Sequence, residues 1–445
     1  MGSGLLTDLY ELNMAASYLR RDMRGPATFS LFVRRLPRDR GFLVAAGLAD
    51  CLRFLEDFAF DDGELTYLRE SLGYSDEVVA EFRSVRFTGD VWAIPEGTIA
   101  FADEPLLEVT APLPEAQLVE TYLLNQVTFQ TAIATKASRC IIAAGGRDVV
   151  DFAFRRTHGV EAAMAVARTS AMVGFAGTSN VEAARRFGLP AVGTMAHSFI
   201  EVFSSEVEAF RAFAQDFPDH TTFLVDTYET EGGVRAAIDV IRDLGPTGRV
   251  GVRLDSGDLG AEAVRARTVL DEAGLGQVRI FASGSLDEFA IEALVGAGAP
   301  IDAFGVGTKM GVSADAPYVD SVYKVVEYDG RPVMKLSPEK STAPGRKQVF
   351  RHPGVVSDTV GLREEPTPAG ARALLQPVMR AGQRVDADEA LTKARGRFEE
   401  GLADLPADAR ALRAPTVPAV RPSHALEELT DRVAGELRER RDDAH

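Results

Sequence analysis

Apolar residues recur at helical spacing in the opening stretch LLTDLYELNMAASYLRR, where Leu9, Leu12, Met14, Ala15 and Tyr18 follow Thr7 and Asp8, either of which can cap a helix. FSLFVRRLP reads as a strand ending in a basic turn, and FLVAAGLADCLRFLEDF as an amphipathic helix. Short β-type runs over residues 87–109 are punctuated by Pro95, Gly97 and Pro105, which predicts strand-turn-strand packing in an α+β domain. A long apolar helix over 115–134 then leads into a different texture. From about 137 to 310 short buried strands alternate with helical runs: VVDFAF, SAMVGFAG, AVGTMA, TTFLVDT, RVGVRLDS, RIFASG and DAFGVG are the strand candidates. Repeated alternation of this kind predicts a parallel sheet closing toward an α/β barrel.

Beyond Val312 strands return, with Asp329-Gly330 as a hairpin signal, and they are expected to complete the N-terminal sheet. The expected organisation is an N-terminal α+β domain over 1–135 completed by about 313–360, a barrel over 136–312, and a mainly helical segment over 361–445. In a barrel the functional groups stand at the C-terminal ends of the strands. Those ends hold Asp151 to Arg155, Gly177 to Asn180, His197, Asp226, Arg253 to Gly257, Ser283 to Ser285 and Gly305 to Lys309.

Composition narrows the class. The chain has 445 residues and a formal net charge of −17, which argues against a dedicated nucleic-acid binder, so any phosphate site must be local. Cys51 and Cys140 lie far apart with no C-x-x-C spacing, so neither a disulfide framework nor a structural zinc site is supported. No apolar run reaches the roughly 18 residues of a membrane span, and no basic leader precedes an apolar stretch. A cytoplasmic enzyme without a membrane partner is expected.

Several motifs carry chemistry. GLPAVGTMAHSFIEV delivers His197 from a small-residue strand into a loop, where a histidine is either a satisfied polar group or a catalyst. In GVRLDSGDLG, alternation puts Arg253 and Asp255 on one side. They form either an ion pair supporting the rim or a pair of ligands, Arg253 for a phosphate and Asp255 for a sugar diol or Mg2+. ASGSLDE and FGVGTKM are glycine-bearing strand ends where barrels bind phosphate through backbone N–H groups. DFAFRRTHG sets Phe152, by default a core residue, beside Arg155 and Arg156, whose guanidinium groups need a carboxylate or a phosphate.

TDLYELNM, IATKASR, DFAFRRTHG, GTSN, GTMAHSF, VDTYET, VRLDSGDL, FASGSLDE and FGVGTKM occur in this order, and with them the chain resembles nicotinate phosphoribosyltransferase. The resemblance, from TDLYELN through PGRKQVFR, implies a type II phosphoribosyltransferase fold and a homodimer with shared active sites. It implies nicotinate, 5-phosphoribosyl 1-pyrophosphate (PRPP) and ATP as substrates, Mg2+, and ligase-type ATP coupling in NAD salvage.

Carried over by position, His197 is the histidine phosphorylated from ATP and Asp226 the carboxylate that orients it. Phe152 and the partner subunit's Tyr10 stack on the pyridine ring. Arg155 and Arg253 hold PRPP phosphates, Asp255 the ribose hydroxyls, and Gly284, Gly305 and Gly307, with Thr308, the 5′-phosphate. Ser179 distinguishes nicotinate from nicotinamide, because the related nicotinamide enzymes resemble GTDT here, with an Asp that would repel a carboxylate. Lys340, Arg346 and Lys347 resemble a basic lid. A nicotinamide or quinolinate phosphoribosyltransferase, or a sugar-phosphate-binding barrel of another class, are the alternatives.

Overall fold

The computed structural model describes residues 2–245, 248–336, 342–355, 357–387 and 389–442. Two compact units divide the chain, residues 1–132 with 318–445, and residues 133–317; the boundary falls inside the helix Glu120–Ala144.

In the first unit, seven strands hydrogen-bond in the order Arg331–Pro332, Ser321–Tyr328, Pro26–Val33, Pro105–Pro112, Asp90–Ala93, Gln376–Arg380 and Gln383–Arg384. The strand Pro26–Val33 pairs antiparallel with Ser321–Tyr328 on one side and Pro105–Pro112 on the other, so the late strands do join the early sheet. Asp329 and Gly330 both take positive φ, 49° and 71°, and turn Tyr328 back onto Arg331, as a two-residue hairpin of the primed type requires. A second sheet contains Arg372–Ala373, Lys347–Arg351, Ser357–Leu362 and Ala419–Pro422. The residues after 361 therefore supply strands as well as the helices Leu391–Asp404 and His424–Asp442.

Two local expectations change in this unit. The helix read over residues 42–58 is shorter: Leu43–Val44 is a strand, and the helix Leu48–Asp57 starts only after Gly47, whose φ of 94° breaks the helical path. Lys347 is no part of an exposed lid. It is buried in the strand Lys347–Arg351, 3.5 Å from Glu108 Oε1, and burial lowers the pKa of its amine. Arg346 pairs with Glu364 at 2.8 Å. Lys340 lies outside the described residues.

In the second unit, six parallel strands line up as Gly177–Thr178, Asp148–Asp151, Ala303–Val306, Arg279–Ala282, Arg249–Leu254 and His220–Leu224. The sheet is a curled half-barrel, which is what makes the barrel irregular. Of the expected strand AVGTMA, only Ala191 pairs, in a single parallel bridge to Thr178. SAMVGFAG likewise yields only its last residue to a strand, since Ser170 to Met172 complete the helix Val160–Met172 and Gly174 turns the chain at φ 106°.

Alternation along Arg249–Leu254 buries Val252 and Leu254 on one side and leaves Arg253 half-buried on the other. After the strands, Asn180, Asp258 and Asp287 accept backbone N–H groups and open the following helices, which keeps each strand-end loop short. Among the described residues no helix is long and apolar enough to cross a membrane.

Candidate active site

The adjacent ends of Arg249–Leu254 and Arg279–Ala282 build the centre of the site. Their register pairs Leu254 with Ala282, so the next residues, Asp255 and Ser283, emerge together. Arg253 lies across both, with 12% of its side chain exposed. Its Nε donates to Ser283 Oγ at 2.8 Å, and one terminal nitrogen donates to Thr194 Oγ1 at 2.8 Å and to the Met195 carbonyl at 3.3 Å. The other terminal nitrogen donates to Asp255 Oδ1 at 2.7 Å. Ser283 Oγ donates to the same carboxylate oxygen at 2.5 Å. Burial opposes ionisation of Asp255, but these bonds and the positive charge of Arg253 outweigh it and hold the carboxyl below its usual pKa.

The ion-pair reading of Arg253 and Asp255 is thus realised, and it nearly exhausts the five N–H donors of the guanidinium. Arg155 is different. It is exposed on the short turn Phe154–Arg156 and has no ion pair among the described residues.

His197 opens the helix His197–Glu201 and is half-buried. Its Nδ1 lies 3.1 Å from Thr227 Oγ1. The imidazole is therefore placed by Thr227 rather than by Asp226. Asp226 faces the neighbouring strand end, where its Oδ2 accepts the Asp255 N–H at 2.8 Å and the Ser256 hydroxyl at 2.6 Å. Its Oδ1 is buried without a hydrogen-bond partner among the described residues. The cause is register: pairing of Leu224 with Arg253 brings the next acidic residue against the Asp255 turn, and the threonine after it faces the histidine.

Phe152 follows the strand Asp148–Asp151. Its ring lies 5.7 Å from that of Phe281, and the Arg253 guanidinium stands 5.5 Å from its centroid. Gly305 makes room for this ring, since a Cβ there would fall 2.8 Å from two Phe152 ring carbons. Gly307 passes close to the Phe152 carbonyl and precedes Thr308, which is exposed at the start of the turn Thr308–Gly311. Gly284 takes φ 95°, with its Cα against the Asp255 carbonyl. Of the GTSN run, Thr178 and Asn180 are buried and hydrogen-bonded to protein groups, whereas the Ser179 hydroxyl has no protein partner among the described residues. Phe281 also lines a cavity of about 560 Å3, together with Val150, Val192, Thr222, Gly251 and Ile280.

Tyr10 belongs to the first unit. It is 47% exposed on the helix Leu9–Arg20, near Leu9 at 53%. Partial burial, with Glu120 and Glu11 beside it, raises its phenol pKa, so the hydroxyl stays protonated. The adjacent Glu11 is fully buried, accepts from Thr7 and from Thr121 Oγ1 at 2.5 Å, and is pushed up to about 7 by burial.

Asp151 and Ser283 fall within the strand-end runs that the sequence marks, without a role of their own assigned there. Thr227, three residues past the strand His220–Leu224, and Thr194, in the loop after the Ala191 bridge, are not marked by residue type or by those runs. No group of three or more His, Cys, Asp or Glu side chains forms a metal cluster among the described residues.

Family profiles match this architecture in three parts: the nicotinate phosphoribosyltransferase (NAPRTase) N-terminal domain over residues 5–128, the NAPRTase family over 148–353, and the C-terminal domain over 321–430. The chain is 48% identical over 438 residues to nicotinate phosphoribosyltransferase pncB2 of Mycobacterium tuberculosis, covering 97% of this chain and 93% of that one. It is 45% identical to the Bacillus subtilis nicotinate phosphoribosyltransferase, over 78% of this chain and 72% of that one. Among solved structures, human nicotinic acid phosphoribosyltransferase superposes with a TM-score of 0.86 at 30% identity, covering 96% of this chain and all of that one.

Proposed function

The chain belongs to the nicotinate phosphoribosyltransferase family, and from that premise we propose that it couples formation of nicotinate mononucleotide to ATP hydrolysis through His197. The transfer itself joins nicotinate to PRPP in NAD biosynthesis. The observation that supports the coupling is the gathering of Asp226, Arg253 and Asp255 at neighbouring parallel strand ends, with His197, at the start of its helix, hydrogen-bonded to Thr227 beside Asp226.

In the transfer, the pyridine nitrogen bonds to C1 of the ribosyl group as the C1–O bond to pyrophosphate breaks. Positive charge grows on the sugar ring, and Asp255, kept ionised by Arg253 and Ser283, is suited to face it and to accept from the ribose hydroxyls. Arg155, exposed and without an ion pair among the described residues, is suited to take a phosphate, whereas Arg253 reaches phosphate only with what its protein partners leave. Phe152 presents its ring to one face of the pyridine. Tyr10 of a second copy is proposed for the other face, and the exposure of Leu9 and Tyr10 supports a homodimer with shared sites. Backbone amides at Gly284, Gly305, Gly307 and Thr308 are proposed for the 5′-phosphate.

Mg2+ fits the residues present. Among the described residues the Oδ1 of Asp226 is buried without a hydrogen-bond partner and the Oδ2 of Asp255 has no protein hydrogen bond, and these two carboxylates would hold the ion. When bound, it would neutralise charge on the leaving pyrophosphate. Both cysteines are free and buried, in keeping with a cytoplasmic setting.

ATP coupling is tested with γ-labelled ATP and with nicotinate and PRPP turnover. In His197→Ala the label no longer transfers to protein and ATP stimulation disappears, while slow ATP-independent synthesis survives. Retention of ATP-coupled turnover in that variant would refute the phosphohistidine role. For substrate choice, Ser179→Asp lowers kcat/KM for nicotinate by about 100-fold, because a second carboxylate repels the substrate's own. An unchanged kcat/KM with nicotinate counts against the assignment of Ser179.

A further inference from the structure

Asp151 is a buried acid that the transfer chemistry leaves unused. It is 1% exposed and ends the strand Asp148–Asp151. Its Oδ1 accepts the Ala153 N–H at 2.8 Å, and its Oδ2 accepts the Thr178 hydroxyl at 2.7 Å. Its main-chain carbonyl accepts the Ser179 N–H at 2.8 Å. Thr178 Oγ1 in turn accepts the Asn180 N–H at 3.0 Å, so the hydroxyl proton of Thr178 is committed to Asp151. Phe152, between Asp151 and Ala153, is fixed from the far side by its own N–H to the Val306 carbonyl at 2.7 Å.

One residue therefore clasps two turns that are far apart in sequence. The first carries the ring of Phe152. The second carries the hydroxyl of Ser179. Burial raises the pKa of Asp151 while the bonds from Thr178 and Ala153 oppose that rise, so the site retains an acid that burial disfavours. An apolar side chain would fill the same place without that penalty, but it could not tie the two turns.

We infer that Asp151 is a positioning residue that sets the distance between the Phe152 ring and the Ser179 hydroxyl, and so selects a pyridine carboxylate over a pyridine carboxamide. The inference rests on Phe152 and Ser179 contacting the pyridine substrate. Asp151 touches no substrate atom. It acts by holding the stacking face and the hydrogen-bonding group in one geometry, where displacement by about 1 Å weakens productive binding severely.

The test compares Asp151→Asn, Thr178→Val and Thr178→Ser, with Ser179→Asp as reference. KM for nicotinate, KM for PRPP, kcat, and the nicotinate to nicotinamide ratio of kcat/KM are measured, with thermal melting as a check of folding. In Asp151→Asn an amide replaces one acceptor oxygen, and in Thr178→Val both the donor to Asp151 and the acceptor of the Asn180 N–H are lost at nearly constant shape. Both are expected to raise KM for nicotinate about tenfold and to lower the ratio by a similar factor, with KM for PRPP within about twofold. Thr178→Ser, which keeps the hydroxyl, restores both. If Asp151→Asn does not fold, the valine and serine pair at Thr178 carries the test.

Parallel changes in both KM values, or a loss in kcat with KM for nicotinate unchanged, would overturn the positioning role. If Ser179→Asp shifts nicotinate kinetics and the Asp151 and Thr178 variants do not, the inference about Asp151 fails while the reading of Ser179 stands. If Ser179→Asp changes nothing either, the reading of Ser179 is what has failed, and the inference built on it falls as well.

Discussion

Replacement of Arg253 by lysine is expected to lower kcat/KM by roughly three orders of magnitude, and replacement by alanine by at least as much. The guanidinium binds four different residues through three nitrogens: Ser283, Thr194, the Met195 carbonyl and Asp255. A lysine ammonium is a point charge on a flexible stem and cannot reproduce that planar fork. In the alanine variant, loss of one partner from a largely buried ion pair costs about 3–5 kcal/mol, close to the stated factor when it falls on the reacting geometry. The Phe152 ring also loses the cation 5.5 Å from its centroid.

A pH profile separates this cause from simple misfolding. In the parent protein Arg253 helps hold the Asp255 carboxyl below its usual pKa, so the ionised form persists to lower pH than in an ordinary aspartate. Without Arg253 the pKa rises, and the acidic limb of the kcat/KM profile should move to higher pH. A loss below tenfold with an unmoved acidic limb would show that Arg253 does not organise the site.

Much of this arrangement can be read along the chain because strand-helix alternation is local. The runs VVDFAF, RVGVRLDS and DAFGVG each carry their own periodicity, and each appears as a strand with its named residues at the C-terminal end. Asp329-Gly330 is legible for the same reason, since a turn of this type depends on its own two residues. Partner identity is not local. Asp226 and Thr227 are neighbours in sequence, yet only the register between His220–Leu224 and Arg249–Leu254 decides which of them meets Asp255 and which meets His197.

The same limit explains Lys347 and the helix after Gly47. A lysine in a basic run looks solvent-facing until a distant Glu108 buries it as an ion pair. In FLVAAGLADCLRFLEDF the apolar pattern continues through Gly47, and the pairing of Leu43–Val44 with Ile99–Ala100 overrides the helical period. Asp151 is the sharper case. Its type and position are visible, but its use of three acceptor atoms on two turns emerges only when the strands Asp148–Asp151 and Gly177–Thr178 are laid side by side.

Gly284→Ala should then be the most damaging single methyl group in the second unit. Gly284 has φ 95°, which an L-residue adopts only under strain, and a Cβ built there falls 1.9 Å from the Asp255 carbonyl oxygen and 2.8 Å from its carbon. Backbone atoms cannot rotate aside as a side chain can, so either the Asp255 turn or the Ser283-Gly284 turn must move. Both carry the bonds that define the site, since Ser283 Oγ and Asp255 Oδ1 are 2.5 Å apart. A shift of about 1 Å here is expected to cut kcat/KM with PRPP by about 100-fold or more.

Gly274→Ala distinguishes the clash from the backbone strain. Gly274 has a comparable φ of 77°, but a Cβ there meets nothing within 4 Å. It follows the helix Leu259–Glu272, away from the strand ends that carry the site. Both variants pay the left-handed penalty of about 1–2 kcal/mol and should melt a few degrees lower. Only Gly284→Ala should lose turnover with PRPP. Equal kinetics in the two variants would mean that the Asp255 turn yields without disturbing the ribosyl site, and that the close approach at Gly284 serves the fold alone.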